Sequence, residues 1–97
     1  MLFEMEIEAE LVRKSDELTA LERALQGWGV GSPVPLAKVT AAMEAARAAV
    51  RDCAVCLENH FNGLIPLRPS TLGQTIVVLR AADAVLARAG EALVPRG

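Results

Sequence analysis

Three apolar stretches with alternating three- and four-residue spacing, divided by two Gly- and Pro-containing breaks, constrain this chain more than any other feature. In the first, Ile7, Leu11, Leu18, Leu21, Leu25 and Trp28 keep that spacing, and only Lys14 interrupts it. Such a series places its members on one stripe of a helix, the a/d seam of a heptad repeat. It predicts a helix from about Leu2 to Gln26. The remaining faces are mostly acidic, with Glu4, Glu6, Glu8, Glu10, Asp16, Glu17 and Glu22 set against Arg13, Lys14 and Arg23. Early acids suit the positive end of a helix dipole. Carboxylate pairs such as Glu4 with Glu8 read as a solvated face, because acid–base chemistry needs a pocket that shifts their pKa values. The stretch GWGVGSPVP, Gly27 to Pro35, then ends the helix.

The second stretch predicts a helix from about Leu36 to His60. Its seam is Leu36, Val39, Met43, Ala46, Val50, Cys53, Leu57 and His60, beside a row of small residues, Ala42, Ala49 and Cys56. In the second break, Asn62-Gly63 is a turn signal, and Pro66 and Pro69 oppose a continuous helix. Thr71 with Gln74 resembles a capping box for a third helix, which is expected to run to about Ala89 with Gly90 as its stop. That third helix is apolar over an arc wider than a surface helix normally shows, and only Arg80, Asp83 and Arg88 mark a polar stripe. Either two helices of the same chain cover it, or a second copy or another protein does.

The expected fold is all-α: an antiparallel three-helix bundle, or a hairpin of long helices, completed by dimerisation where its own core is too small. A chain of 97 residues with 53% hydrophobic but only 3% aromatic residues fits one such domain, residues 1–92, and not a β-sandwich. LVPRG, Leu93 to Gly97, matches a thrombin recognition sequence carried by expression tags and is set apart as a tag remnant. The formal charge of −2 gives no basic field for nucleic acid. No stretch is long and apolar enough to insert in a membrane. With an acidic N-terminus in place of a basic leader, the chain is expected to be cytoplasmic, with its cysteines reduced.

The one stretch with reactive side chains is CAVCLENH, which holds Cys53, Cys56 and His60 in C-x2-C-x3-H spacing. On a helix these three share a face. Cys56 and His60 stand four apart and would suit a soft metal ion, but structural zinc takes four ligands and the chain holds only these three good ones. The pattern is neither a c-type haem motif nor a thioredoxin motif. Packed small side chains, with a histidine near a helix end, account for it without a metal. No catalytic residue and no cofactor is assigned. Gly29, Gly31 and Ser32 lack the P-loop pattern, and no serine has a histidine placed for a triad. Trp28 either caps the first seam or serves as an aromatic anchor for a partner.

The segments LENHFNGLI, Leu57 to Ile65, and LGQTIVVLRAA, Leu72 to Ala82, resemble flagellar type III export chaperones of the FlgN type. Asn62, Gly63, Leu64 and Ile65 match an Asn-Gly followed by Leu or Ile late in those chains. The resemblance implies a small, acidic, cytoplasmic helical chaperone that binds its client through the late helix. Leu72, Ile76, Leu79, Val85 and Leu86 are the positions it would use. The sequence departs from that family in its shorter length and in the prolines that follow Asn62-Gly63. The expected role is therefore a non-catalytic interaction module, as a bacterial secretion or flagellar export chaperone that shields a client helix. The alternatives are a homodimer, self-associating through the third helix as a structural bundle, and a metal-responsive regulator using Cys53, Cys56 and His60.

Overall fold

The computed structural model describes residues 4–26 and 35–93. Three helices follow in order: α1, Glu4–Gln26; α2, Leu36–Phe61; and α3, Pro69–Leu93. They form an all-α, up-down-up bundle. Arg68 reaches Glu8 at 3.5 Å, Gln74 donates to the Ser15 hydroxyl at 3.3 Å, and Arg88 reaches Glu22 at 3.3 Å, so α1 and α3 run parallel. The Cys53 thiol lies 3.9 Å from the Thr75 carbonyl and Lys14 lies 2.8 Å from Asp52, so α2 runs against both. Trp28, the Gly/Pro break before Pro35 and the residues after Leu93, expected from the sequence to be part of a tag remnant, lie outside the described residues.

The ends of the helices have local causes. Pro35 precedes α2, and its carbonyl accepts from Lys38 and Val39 at 2.9 and 3.2 Å. Gly63 takes φ +74°, the left-handed conformation that glycine adopts without a Cβ penalty. Its N–H donates to the His60 carbonyl at 3.0 Å, and the Leu64 N–H donates to the Asn59 carbonyl at 2.9 Å. This is a Schellman C-cap, so the Asn-Gly turn signal is the stop of α2.

Two expected boundaries of α3 are corrected. The helix begins at Pro69, and Thr71 is an interior, fully buried residue, not a cap. Proline suits the first helical position, where its missing N–H would have no intrahelical partner and its φ is already helical. Nor does Gly90 stop the helix. Ala89 before it is buried in the core, and Arg88 pairs with Glu91 beyond it at 3.2 Å.

α3 packs between the other two helices, and α1 and α2 touch each other far less than either touches α3. α1 contributes the large core side chains Leu11, Leu18 and Leu25. The rows that α2 and α3 bury are narrow. From α2 they are Val39, Ala42, Ala46, Ala49 and Cys53, and from α3 Thr71, Thr75, Val78, Ala82, Val85 and Ala89. Small side chains let the helices approach closely, which fixes the register. The buried hydroxyls are satisfied locally: Ser15 donates to the Val12 carbonyl at 2.9 Å and Thr75 to the Leu72 carbonyl at 2.5 Å. Lys14, which breaks the apolar seam of α1, sits at the α1–α2 edge and holds Asp52 there.

Candidate functional site

The expected α2 seam is rotated in the structure. Val39, Ala46 and Cys53 are buried as expected, but the row beside them is Ala42 and Ala49. Leu36, Met43, Val50 and Leu57 stand on the other side, and none of them is buried. Leu36 is 68% exposed and Val50 37%. α3 repeats the arrangement. Leu72, Leu79 and Leu86 recur every seven residues beside the buried rows and are only half-buried, and Ile76 next to them is 52% exposed.

The antiparallel register set by Cys53 and Thr75 runs these two rows past each other along one face of the α2–α3 hairpin. On this hairpin the fully buried rows carry the smaller side chains, and Met43, Leu79 and Leu86 pack against them only half-buried. Among the described residues, the largest fully buried side chains are Val39, Val78, Val85, Thr71, Thr75 and Cys53. The leucines, the isoleucine and the methionine of the two helices lie outside that set. The result is an aliphatic stripe ~32 Å long, from the 21 residue steps between Leu36 and Leu57 at ~1.5 Å each.

Of the expected partner-binding residues, the structure brings Leu72, Ile76, Leu79 and Leu86 onto this face. Val85 is corrected: its exposure is 0%, and it belongs to the core between the helices. Trp28 lies outside the described residues. Sequence reasoning missed the α2 half of the face, because Leu36, Met43, Val50 and Leu57 read as core. The signal was present in the small row Ala42, Ala49, Cys56, which offers a closer approach than the leucine row.

Cys53, Cys56 and His60 are placed in three different environments. Cys53 is fully buried, and burial, then the nearby Cys56 and Asp52, pushes its pKa up to about 11. Cys56 is half-buried in a groove between α1 and α2, and burial raises its pKa as well. His60 accepts the Leu67 N–H on Nδ1 at 2.9 Å and so ties the turn between α2 and α3 to the end of α2. A metal ligand or a nucleophile needs a thiolate, and burial opposes its formation at both cysteines. Among the described residues, no three His, Cys, Asp or Glu side chains are grouped to hold a metal ion.

The α1–α2 groove measures about 320 Å³ and is lined by Ile7, Leu11, Val55 and Cys56 among others. The Lys14–Asp52 ion pair spans it, and its hydrogen bond raises the pKa of Lys14. The groove is thus a short apolar slot crossed by a charge pair, whereas the α2–α3 face is long and carries an uninterrupted aliphatic row. Among the described residues, no helix is long and apolar enough to cross a membrane. No known protein family, curated protein or solved structure matches the chain significantly.

Proposed function

We propose that the protein is a non-catalytic interaction module that docks another helix on the outer face of the α2–α3 hairpin. The observation behind this reading is the size sorting of the hairpin. Each large aliphatic side chain fully buried is worth ~1.5–3 kcal/mol over one left in water. A hairpin selected only to fold would place its leucines inside and its alanines outside. Leu36, Met43, Val50 and Leu57 with Leu72, Leu79 and Leu86 instead remain partly in water, at a cost that a docked helix removes. Their seven-residue period is the repeat by which helical partners interlock.

The FlgN resemblance supports one form of this function, a small cytoplasmic secretion or flagellar export chaperone. The late-helix positions it singles out, apart from Val85, share the face. Such a chaperone would cover a client helix and release it at export, while the acidic surface of α1 keeps the complex in solution.

A photo-crosslinking residue at position 76 tests the reading inside a flagellated bacterium, with position 16 on the exposed side of α1 as control. Crosslinks from position 76 to a defined helical segment, identified by mass spectrometry, are expected, with few from position 16. Equal yields from both positions, or none from position 76, would refute helix docking on this face. Crosslinks to the chain itself alone would remove the chaperone form and leave the docking reading intact.

A further inference from the structure

We propose that the helix pair docked on this face is that of a second copy of the chain. The two copies are related by a two-fold axis parallel to the helices, so that α2 of each lies antiparallel over α3 of the other. The inference rests on the helix-docking reading and names its occupant.

The evidence lies in the row that points straight out of the face. On α2, Thr40, Arg47 and Ala54 each come four residues after one member of the aliphatic row and three before the next. On α3, Ile76, Asp83 and Gly90 begin the equivalent row: Ile76 and Asp83 each follow a stripe leucine by four residues, as Gly90 follows Leu86. All six are exposed. Arg47 and Asp83 are the charged members, one on each helix, and among the described residues neither forms an ion pair within the chain.

A two-fold axis parallel to the helices keeps every residue at its own height and exchanges α2 for α3. The Cys53–Thr75 register then sets Arg47 over the second copy's Asp83, Ala54 over its Ile76 and Thr40 over its Gly90. Opposite charge meets opposite charge, and a small residue meets a large one. The other face-to-face axis, perpendicular to the helices, stacks α2 on α2 and α3 on α3. It would set Arg47 against Arg47 and Asp83 against Asp83 at the centre of the contact, and like charges juxtaposed at an interface are costly. Arg51 and Arg80 lie roughly 40° and 60° further round their helices; the same register brings Arg51 to the height of the second copy's Arg80, a like-charge pair at the rim that solvent screens.

The area is sufficient. A face ~32 Å long on a body 20 Å across covers ~640 Å² per copy. The pair buries ~1,300 Å², within the range of specific interfaces. A partner of equal length, equal heptad period and matching charge row is required, and the chain itself supplies one.

Sedimentation equilibrium on the purified chain, with circular dichroism to confirm helicity, tests the proposal. A mass twice the 10.3 kDa of one chain is expected at micromolar concentration. Arg47→Asp alone, and Asp83→Arg alone, are expected to weaken the dimer about 100-fold. The double variant Arg47→Asp/Asp83→Arg is expected to restore it, because the exchanged charges meet again. Failure of the double variant to restore a dimer that both single variants break would overturn the two-fold arrangement. A monomer at every concentration would overturn the second-copy proposal, while the position-76 crosslinks still decide whether the face docks a helix at all. A dimer unaffected by Arg47→Asp and by Ile76→Asp would place self-association on another surface and overturn it too.

Discussion

Raising the pH through the alkaline range is expected to destabilise the wild-type chain more than its Cys53→Ala variant. Cys53 has no exposed surface, and its pKa stands at about 11 against an ordinary value of 9.0, chiefly because burial disfavours the thiolate. In the unfolded chain the thiol ionises as the pH passes about 9, whereas in the folded chain it keeps its proton until about 11. Between those values the folded state binds more protons than the unfolded state, so stability falls as pH rises. The contribution is complete below the lower value and lost above the higher one. Two pH units at ~1.4 kcal/mol each give a loss of ~3 kcal/mol, a large share of the ~5–15 kcal/mol that stabilises a small domain. Urea unfolding followed by helicity, at steps from about pH 8 to about pH 11, measures it for both proteins. The raised pKa of Lys14 adds a loss of the same sign at still higher pH, but it is common to both and cancels in the difference. Cys53→Ala lowers stability at every pH by opening a small cavity, so the slope carries the information and not the offset. Parallel pH profiles would refute the reasoning, since they would mean that the Cys53 thiol does not resist ionisation in the fold. In the same samples Cys56, half-buried and facing the groove, is expected to react with a thiol reagent before Cys53.

Two further outcomes separate core from face and test the turn. Val85→Ala is expected to cost ~2 kcal/mol in thermal or urea unfolding, while Ile76→Ala changes the unfolding of the dilute monomer by less than ~0.5 kcal/mol. His60→Ala leaves the buried Leu67 without its side-chain acceptor. It is expected to cost ~1–2 kcal/mol and to speed hydrogen exchange at the Leu67 amide specifically. An unchanged exchange rate there would show that the Nδ1 contact does not hold the turn.

The architecture was legible because helix period and breaks are local properties. Three helices, their antiparallel order and the Asn62-Gly63 stop follow from spacing and turn chemistry in the sequence, and the structure has all of them. What escaped was the choice between two apolar rows on one helix. α2 carries Leu36, Met43, Val50 and Leu57 on one side of Val39, Ala46 and Cys53, and Ala42, Ala49 and Cys56 on the other. Hydrophobicity favours the leucine row as core, but the distance between helix axes decides, and the alanine row permits the closer approach. Val85 entered as a partner residue through the late-helix positions of the FlgN resemblance, and the narrow polar stripe of α3, Arg80, Asp83 and Arg88, leaves too wide an apolar arc to separate its core side from its outer side. Pro69 was misjudged because proline ends a helix from within and opens one at its first position. The sequence alone does not say which of these applies.

The division of rows also explains why C-x2-C-x3-H is not one site. A helix that packs on one side only can gather residues at three- and four-residue steps into one cluster. α2 packs on two sides: α3 covers Cys53, and Cys56 faces the groove toward α1. His60, one turn further on, is taken up by the Leu67 amide. The spacing that would have suited a metal instead distributes the three side chains among a core, a groove and a turn. The third side of α2 is the one left to the aliphatic row. α3 is built likewise, with Ala82 fully buried and Leu79 half-buried against the core beside the outer face. Two helices that each carry one narrow and one wide apolar row are made for two neighbours. α1 is the first, and the outer row, which keeps its seven-residue period for three full repeats on α2, is the surface on which the proposed second helix of the same period would dock.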